Sequence, residues 1–231
     1  MIVTAGGIKG GSGKTTVATN LAILRAAAGS DVLLVDADDQ ETATDFTNLR
    51  NERHAPASEA SQLGAQYTCV KLTGAAVRTE LLRLTSKYQD IIIDTGGRDT
   101  ASQRAALTVA GVLLVPFVPR SFDLWTLEKV EELVKEITAV NPGLRAYTFL
   151  NRADPRGTDN SETGAVLRET EILQFLDTPL GARKAFSNAA AAGLAVTESK
   201  PADPKANDEM MALYRYVFDI GGVSKRYLGR A

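Results

Sequence analysis

The sequence predicts an α/β protein, a mostly parallel, doubly wound sheet flanked by helices. Three observations carry that expectation. Short runs rich in β-branched residues alternate with longer amphipathic segments, the order expected of crossover units. The short runs are apolar throughout, as buried parallel strands are. Gly, Asp and Pro punctuate the boundaries between the two kinds of segment.

In order, residues 1–5 read as a first strand, followed by a glycine-rich turn and a helix over 14–28. A second strand covers 32–35, and the polar stretch 40–66 reads as loop because it is poor in β-branched residues. A helix over 74–86 leads to a strand at 91–93, then a helix at 102–110 and a strand at 112–115. The remaining elements are a helix over 122–140, a strand at 146–150, and helices over 162–175 and 206–218. Residues 151–161 and 199–208 are loop-like from their Pro, Asp, Asn and Gly content. Apolar runs this short are compatible with buried helix by periodicity alone; their β-branched content and flanking residues favour strand.

The 231 residues suit one domain spanning 1–231, and 44% hydrophobic with 23% charged residues is a globular composition. With 26 Lys and Arg against 28 Asp and Glu, any affinity for nucleic acid must come from a local basic patch. Cys69 is the only cysteine and His54 the only histidine, which excludes a disulfide framework, a Cys-rich zinc site and a multi-His metal site. His54 lies in a polar stretch and reads as a solvated loop residue. The start of the chain lacks a basic region before an apolar core, and no run approaches the ~18 apolar residues of a membrane span. A soluble, cytoplasmic, unprocessed protein is expected.

The chemistry lies between the first strand and the first helix, in Gly6-Gly7-Ile8-Lys9-Gly10-Gly11-Ser12-Gly13-Lys14-Thr15-Thr16. This is a phosphate-binding P-loop by sequence and by context. Small residues let backbone N–H groups converge on phosphate oxygens, the helix N-terminus adds its dipole, and Lys14 neutralises β- and γ-phosphate charge. Thr15 would supply a hydroxyl to Mg²⁺. The strict pattern asks for glycine at the position of Ile8, so only the core KGGSGKTT is intact.

That core, residues 9–16, resembles the deviant Walker A signature of the ParA/MinD family of P-loop ATPases, closest to small ParA-type DNA partition ATPases. The resemblance implies a P-loop NTPase fold and an ATP-sandwich homodimer in which Lys9 reaches the phosphates bound by the partner copy, as an arginine finger does in trans. It implies ATP and Mg²⁺ as cofactors, with Gly10, Gly11, Ser12, Gly13, Lys14, Thr15 and Thr16 holding the phosphates. Val35-Asp36-Ala37-Asp38-Asp39-Gln40 is similar to the family's switch I, which places Asp36 near the metal and gives Asp38 the orientation of the attacking water. Asp39 stands where the family usually has proline; the loop is expected to be looser for it.

Residues 88–97 resemble a Walker B strand ending in Asp94, which would hold Mg²⁺ through water, followed by Gly96-Gly97 as a switch II made mobile by glycine. Arg98 and Asp99 then either report the γ-phosphate to the dimer face or form an exposed ion pair. Asn151 falls where the family places an adenine-contacting asparagine, although an Asn in a turn needs no ligand to explain it. The proline-containing stretch 199–204 resembles the loop that approaches the other side of the base.

The segment 181–198 looks like the family's run from an arginine-bearing turn through a helix to a G-x-x-V-x-E end. In the partition branch, basic residues here bind DNA without sequence preference across the dimer. Arg183 and Lys184 match by position; Lys200, Lys205, Arg215, Lys225 and Arg226 are candidates by charge alone. The apolar stripe of 210–218 reads as a packing face and the tail 223–231 as too short for an interfacial anchor, so membrane binding is not expected. Nor is an N-terminal operator-reading extension.

The expected function is a ParA-type ATPase of weak intrinsic rate, associated with the nucleoid. It drives plasmid or chromosome partition when a ParB-like or other centromere-binding adaptor stimulates hydrolysis. The alternatives are an ATP-dependent positioning ATPase for a protein cargo, and a metabolic P-loop enzyme of the dethiobiotin synthetase type.

Overall fold

A computed structural model of the chain describes residues 1–54, 65–121, 124–156 and 158–220. Among the described residues eight strands form one sheet: β1 (Ile2–Ala5), β2 (Val32–Ala37), β3 (Thr68–Lys71), β4 (Asp90–Thr95), β5 (Val112–Phe117), β6 (Arg145–Ala153), β7 (Gln174–Phe175) and β8 (Leu180–Gly181). The described α-helices that connect and follow them are α1 (Lys14–Ala27), α2 (Thr42–His54), α3 (Ala76–Leu84), α4 (Ala101–Leu107), α5 (Leu124–Val140), α6 (Asp159–Glu169), α7 (Lys184–Ala190) and α8 (Pro204–Arg215). The strand order is β3-β2-β4-β1-β5-β6-β7, with β8 beside β6, and every pairing is parallel. The expected α/β sheet is therefore the one observed.

The order explains where the site must be. From β1 the chain steps outward to β2 and β3, returns to β4 beside β1, and then continues on the other flank with β5. Connections diverge at β1, and in open parallel sheets the crevice beyond the carboxyl ends at such a reversal is where ligands bind. The glycine-rich turn follows β1 directly.

Both faces of the sheet are covered, and the period of two in each strand decides which side chain meets which layer. On one face Leu34, Ile92, Leu114 and Phe149 pack under α1, α7 and α8, through Val17, Leu21, Ala189 and Leu213. On the other, Leu33, Val35, Ile91 and Ile93 meet Val77, Leu81 and Ala106 of α3 and α4. Leu113, Val115, Ala146 and Leu150 complete that face under α5 and α6. Among the described residues no helix is long and apolar enough to cross a membrane.

Several expected boundaries move for local reasons. The helix expected over 162–175 ends at Glu169, because Thr170 turns extended and Gln174–Phe175 pairs with β6. The last helix starts earlier, at Pro204, with Asp203 accepting a hydrogen bond from the Ala206 N–H and proline at the first turn. It gives way to a π turn over Tyr216–Ile220. Residues 122 and 123, expected to open α5, lie outside the described residues, as do Lys225, Arg226 and the rest of the tail. The edge strand β3 escapes sequence reading because it is only half-buried.

Helix α2 is the largest departure, since its segment reads as loop. Among the described residues its only buried apolar side chains are Ala43 and Phe46, and its largest buried side chain is that of Arg50, at 1% exposure. That guanidinium donates to Gly193 O (3.0 Å), Ala65 O (2.9 Å) and both oxygens of Glu198 (2.7 and 2.9 Å). Gly193, at φ 65°, has no room for a side chain, because a Cβ there would lie 2.7 Å from the Arg50 backbone nitrogen. An arginine thus does the packing that apolar residues do elsewhere, and a hydrophobicity pattern cannot reveal it. Arg50→Ala, which strands the Glu198 carboxylate and two carbonyls, should lower the unfolding free energy by about 3 kcal/mol, read by urea denaturation.

Candidate nucleotide and metal site

The loop after β1 is held open by contacts that only glycine permits. Gly13 adopts φ 92°, and a Cβ on it would lie 2.2 Å from Asn151 Nδ2, so both conformation and space exclude a side chain. Gly13 caps α1 with no side-chain hydrogen bond, which leaves the first N–H groups of the helix for a ligand. At the other end of the loop, the Gly7 N–H donates to Gln103 Oε1 (3.0 Å), and the same oxygen accepts from the Thr95 hydroxyl (2.8 Å). Gln103, fully buried in α4, therefore clips the phosphate loop to the end of β4. Sequence reasoning missed it, since a glutamine in an amphipathic helix carries no signal of its own.

Lys14 opens α1 with its side chain only 5% exposed, and its Nζ donates to Lys9 O at 2.9 Å. Burial pushes its pKa down, while the negative charges of Asp94 and Asp38 pull it back up. Lys9 is half-buried in the same loop. Thr15 and Thr16 follow Lys14 in the first turn of the helix, below Gly10, Gly11 and Ser12.

The acids come from the neighbouring strands. Asp36 and Asp94 are register partners at the ends of β2 and β4, both fully buried. They differ in bonding. Asp36 Oδ1 accepts from the Asp38 N–H (3.1 Å), and its Oδ2 accepts from the N–H and hydroxyl of Thr44 (both 2.8 Å). Asp36, expected near the metal, uses both its oxygens to shape the loop and to anchor the first turn of α2. Neither carboxylate oxygen of Asp94 has a hydrogen bond of good geometry. Burial raises the Asp94 pKa to about 7; the nearby Thr15 hydroxyl and Lys14 favour the ionised form, and Asp36 and Asp38 oppose it.

A buried carboxylate with unpartnered oxygens beside a threonine hydroxyl is a donor set that suits Mg²⁺. Among the described residues no three His, Cys, Asp or Glu side chains gather to hold a metal by themselves. The remaining oxygens for such an ion would be those of phosphate and water, as Mg²⁺ at a nucleotide usually has.

Asp38 sits half-buried in the loop after β2 and accepts from the Gln40 N–H (3.3 Å). Its carboxylate lies over Gly96, where a Cβ would be 2.9 Å from Oδ1. Gly97 lies against the phosphate loop itself: a Cβ there would be 2.5 Å from Gly10 Cα. The two glycines, expected for mobility, stand where a side chain would collide, Gly96 with the Asp38 carboxylate and Gly97 with the phosphate-loop backbone. Asp39 is exposed, and Glu41, at φ 56°, makes the turn that a proline does not make here. Asp99 pairs with Arg104 (2.6 and 2.7 Å) rather than with Arg98, and Arg104 also holds Glu136 of α5.

Beyond Gly13 and Thr16 opens a cavity of about 330 Å³ lined by Asn151, Arg152, Arg183, Lys184 and Phe186. That volume lies within the ~300–1,000 Å³ range of small-ligand sites. Asn151 Nδ2 donates to Ser12 O (2.6 Å), and its Oδ1 accepts from the Arg152 N–H (3.0 Å). The asparagine therefore stands at the pocket wall and braces the phosphate loop.

Arg183 and Lys184, which the resemblance puts on a DNA surface, line this pocket, Lys184 with its side chain exposed. The Arg183 guanidinium is clamped by Glu209 of α8 (2.6 to 3.1 Å), and Glu209 also accepts from the Gly181 N–H (2.9 Å). Its charge is paired with that of Glu209 where it sits. The stretch 199–204 lines a groove with Arg53 and Asn188.

Comparison with known proteins agrees with this geometry. Residues 3–196 match the CobQ/CobB/MinD/ParA nucleotide binding domain. The maintenance of carboxysome distribution protein A of Gloeobacter kilaueensis is 34% identical over 195 residues, covering 82% of this chain and 81% of that protein. Among solved structures, the ATP complex of a McdA variant from Cyanothece superposes with a TM-score of 0.76 at 19% identity, over 94% of this chain and 96% of that one. The septum site-determining protein MinD of Pyrococcus horikoshii with Mg-ADP gives a TM-score of 0.71 at 16% identity, over 97% and 98%. These likenesses establish the fold.

The Asp94 carboxylate gives a pH signature without any ligand. Its folded pKa, about 7, lies above the ordinary 3.8, so between those values the native state binds more protons than the unfolded one. Stability should therefore fall as pH rises through that window and stay low above it. Asp94→Asn removes this titration. The nucleotide-free variant should gain little stability at pH 4 and most at pH 8, by at most about 4 kcal/mol, read from urea melts across pH.

Proposed function

The chain belongs to the CobQ/CobB/MinD/ParA nucleotide-binding family, and we propose that within it this protein is an ATPase that dimerises around ATP and positions a cargo. The observation that carries the reading is the convergence of Lys14, Asp38 and Asp94 on one glycine-built phosphate loop.

The residues divide the work as follows. The N–H groups of the loop and of the first turn of α1 bind the phosphate oxygens, and Lys14 neutralises their charge. Thr15 and Asp94 are the side chains for Mg²⁺, Asp94 through a bound water; the ion, when bound, would offset charge on the β- and γ-phosphates. Asp38, over switch II and near Lys14, orients the water whose oxygen attacks the γ-phosphorus while the bond to the β-phosphate oxygen breaks, giving ADP and phosphate. Lys9 of the partner copy adds positive charge at the γ-phosphate, where charge is spread in the transition state. The base lies in the cavity past Asn151.

In this reading the ATP-bound dimer binds DNA without sequence preference, as on a nucleoid, and a ParB-like or other centromere-binding adaptor stimulates hydrolysis and release. The dimer's DNA contacts come from exposed cations, Lys184 with Lys200, Lys205 and Arg215, beside Arg183. The cargo is a plasmid or chromosome region. A second reading, a protein body as cargo, is favoured by the name of the Gloeobacter relative.

Asp38→Ala should retain ATP binding, turn over at least ~100-fold more slowly, and accumulate as dimer in light scattering with ATP. Turnover at the wild-type rate removes Asp38 from the mechanism.

DNA affinity should appear with ATP and not ADP, be equal on two unrelated duplexes, and fall steeply with salt, as measured by fluorescence anisotropy. Lys200→Glu with Lys205→Glu should lower it at least ~10-fold without changing ATP-dependent dimerisation. ATP-independent binding, or none at low salt, favours the protein-cargo or the metabolic reading.

A further inference from the structure

Helix α5 begins with two large apolar side chains turned to solvent: Leu124 is 54% exposed and Trp125 77%. The core accounts for the other face of this helix, through Leu127, Val130, Leu133, Val134 and Ile137. Scattered apolar residues on a surface are ordinary. The location of this pair is what separates it from them.

Thr126 and Val130 of the same helix line a cavity with Ile8, Lys9 and Gly10 of the phosphate loop. Thr126 and Lys129 also border a groove of about 450 Å³ with Ile8, Arg98 and Asp99. Trp125 lies one helical turn before Lys129 and shares its side of α5. The apolar pair is therefore continuous with the rim formed by the phosphate loop and switch II.

The charges along that groove select the occupant. Arg98, Arg104 and Lys129 stand among Asp99, Glu132 and Glu136. A strongly acidic or strongly basic partner would meet like charges as often as opposite ones. A two-fold related copy lays the patch on itself reversed, and so can match both signs. Gly10 and Gly11 are exposed on this rim, and a Cβ on either would meet nothing within 4 Å. Hydrolysis that excludes bulk water needs a second body over that opening.

We propose that Leu124 and Trp125 are the apolar anchor by which a second copy of this chain seats on the phosphate-loop rim when ATP is bound. The inference rests on the sandwich-dimer reading above and names the surface that holds the sandwich together.

The chain has a single tryptophan, so its fluorescence reports this one position. The full chain is titrated with Mg²⁺ and a non-hydrolysable ATP analogue, following mass by light scattering and Trp125 by emission wavelength and acrylamide quenching. As dimer forms, the emission should shift to shorter wavelength and the quenching constant fall at least ~3-fold, and Trp125→Ala should raise the dimer dissociation constant at least ~10-fold. Because the side chain is exposed, Trp125→Ala should leave the circular dichroism spectrum and the melting temperature of the nucleotide-free chain unchanged. Dimer mass with Trp125 still fully quenchable, or a Trp125→Ala chain that dimerises like wild type, overturns this surface and leaves the sandwich standing. Shielding of Trp125 without a change in mass also overturns it. Absence of dimer at saturating nucleotide overturns the sandwich reading, and this inference with it.

Discussion

Burying Lys14 and Asp94 together at the carboxyl ends of the central strands is the constraint around which the rest of the site is arranged. Both side chains are almost wholly out of water, yet no ion pair between them is formed; Lys14 Nζ rests on Lys9 O and the Asp94 oxygens have no well-formed hydrogen bond. A buried charge without full compensation is costly, and the surrounding packing must tolerate it. Three apolar clusters over both faces of the sheet supply that tolerance. Phosphate and Mg²⁺ are the groups whose charges would complement this pair, so the energetic weakness of the unliganded fold and its affinity for nucleotide have one origin.

The loops around that pair are not independent. Gln103 joins the start of the phosphate loop to Thr95 at the end of β4. Asp36 fixes the loop that carries Asp38 to the first turn of α2. Asn151 ties the phosphate loop to β6 through Ser12. Beyond switch II, Arg104 links Asp99 to Glu136 on α5. These loops thus connect physically to α2, α4, α5 and the cavity beside Asn151, and Gly97 packs directly against Gly10.

The cavity beside Asn151 is coupled to the last helix in the same manner. Glu209 of α8 holds both the Gly181 N–H and the Arg183 guanidinium, so the wall opposite Asn151 is set by a residue far along the chain. This arrangement gives Arg183 a part in the structure of the cavity wall. Position in a motif specified where the residue lies along the chain; the carboxylate it meets came from another element.

The sequence by itself determined what depends on neighbours along the chain. The apolar β-branched runs became β1, β2, β4, β5 and β6, and the glycines, Lys14 and Thr15 became the turn and first helical residues after β1, because strand propensity, turn chemistry and helix initiation are local. Asp36, Asp38 and Asp94 were legible as acids at strand ends for the same reason. Tertiary structure decided what depends on partners distant in sequence. Helix α2 forms around Arg50 because Gly193, Ala65 and Glu198 are there to receive its guanidinium. β7 and β8 exist as strands because β6 offers its free edge to residues that carry no strand pattern. The different surroundings of Asp36 and Asp94, one bonded through both oxygens and one through neither, arise from Thr44 and from burial. Hydrogen-bond partners and desolvation are fixed only when strands and helices come together, and no local pattern encodes them.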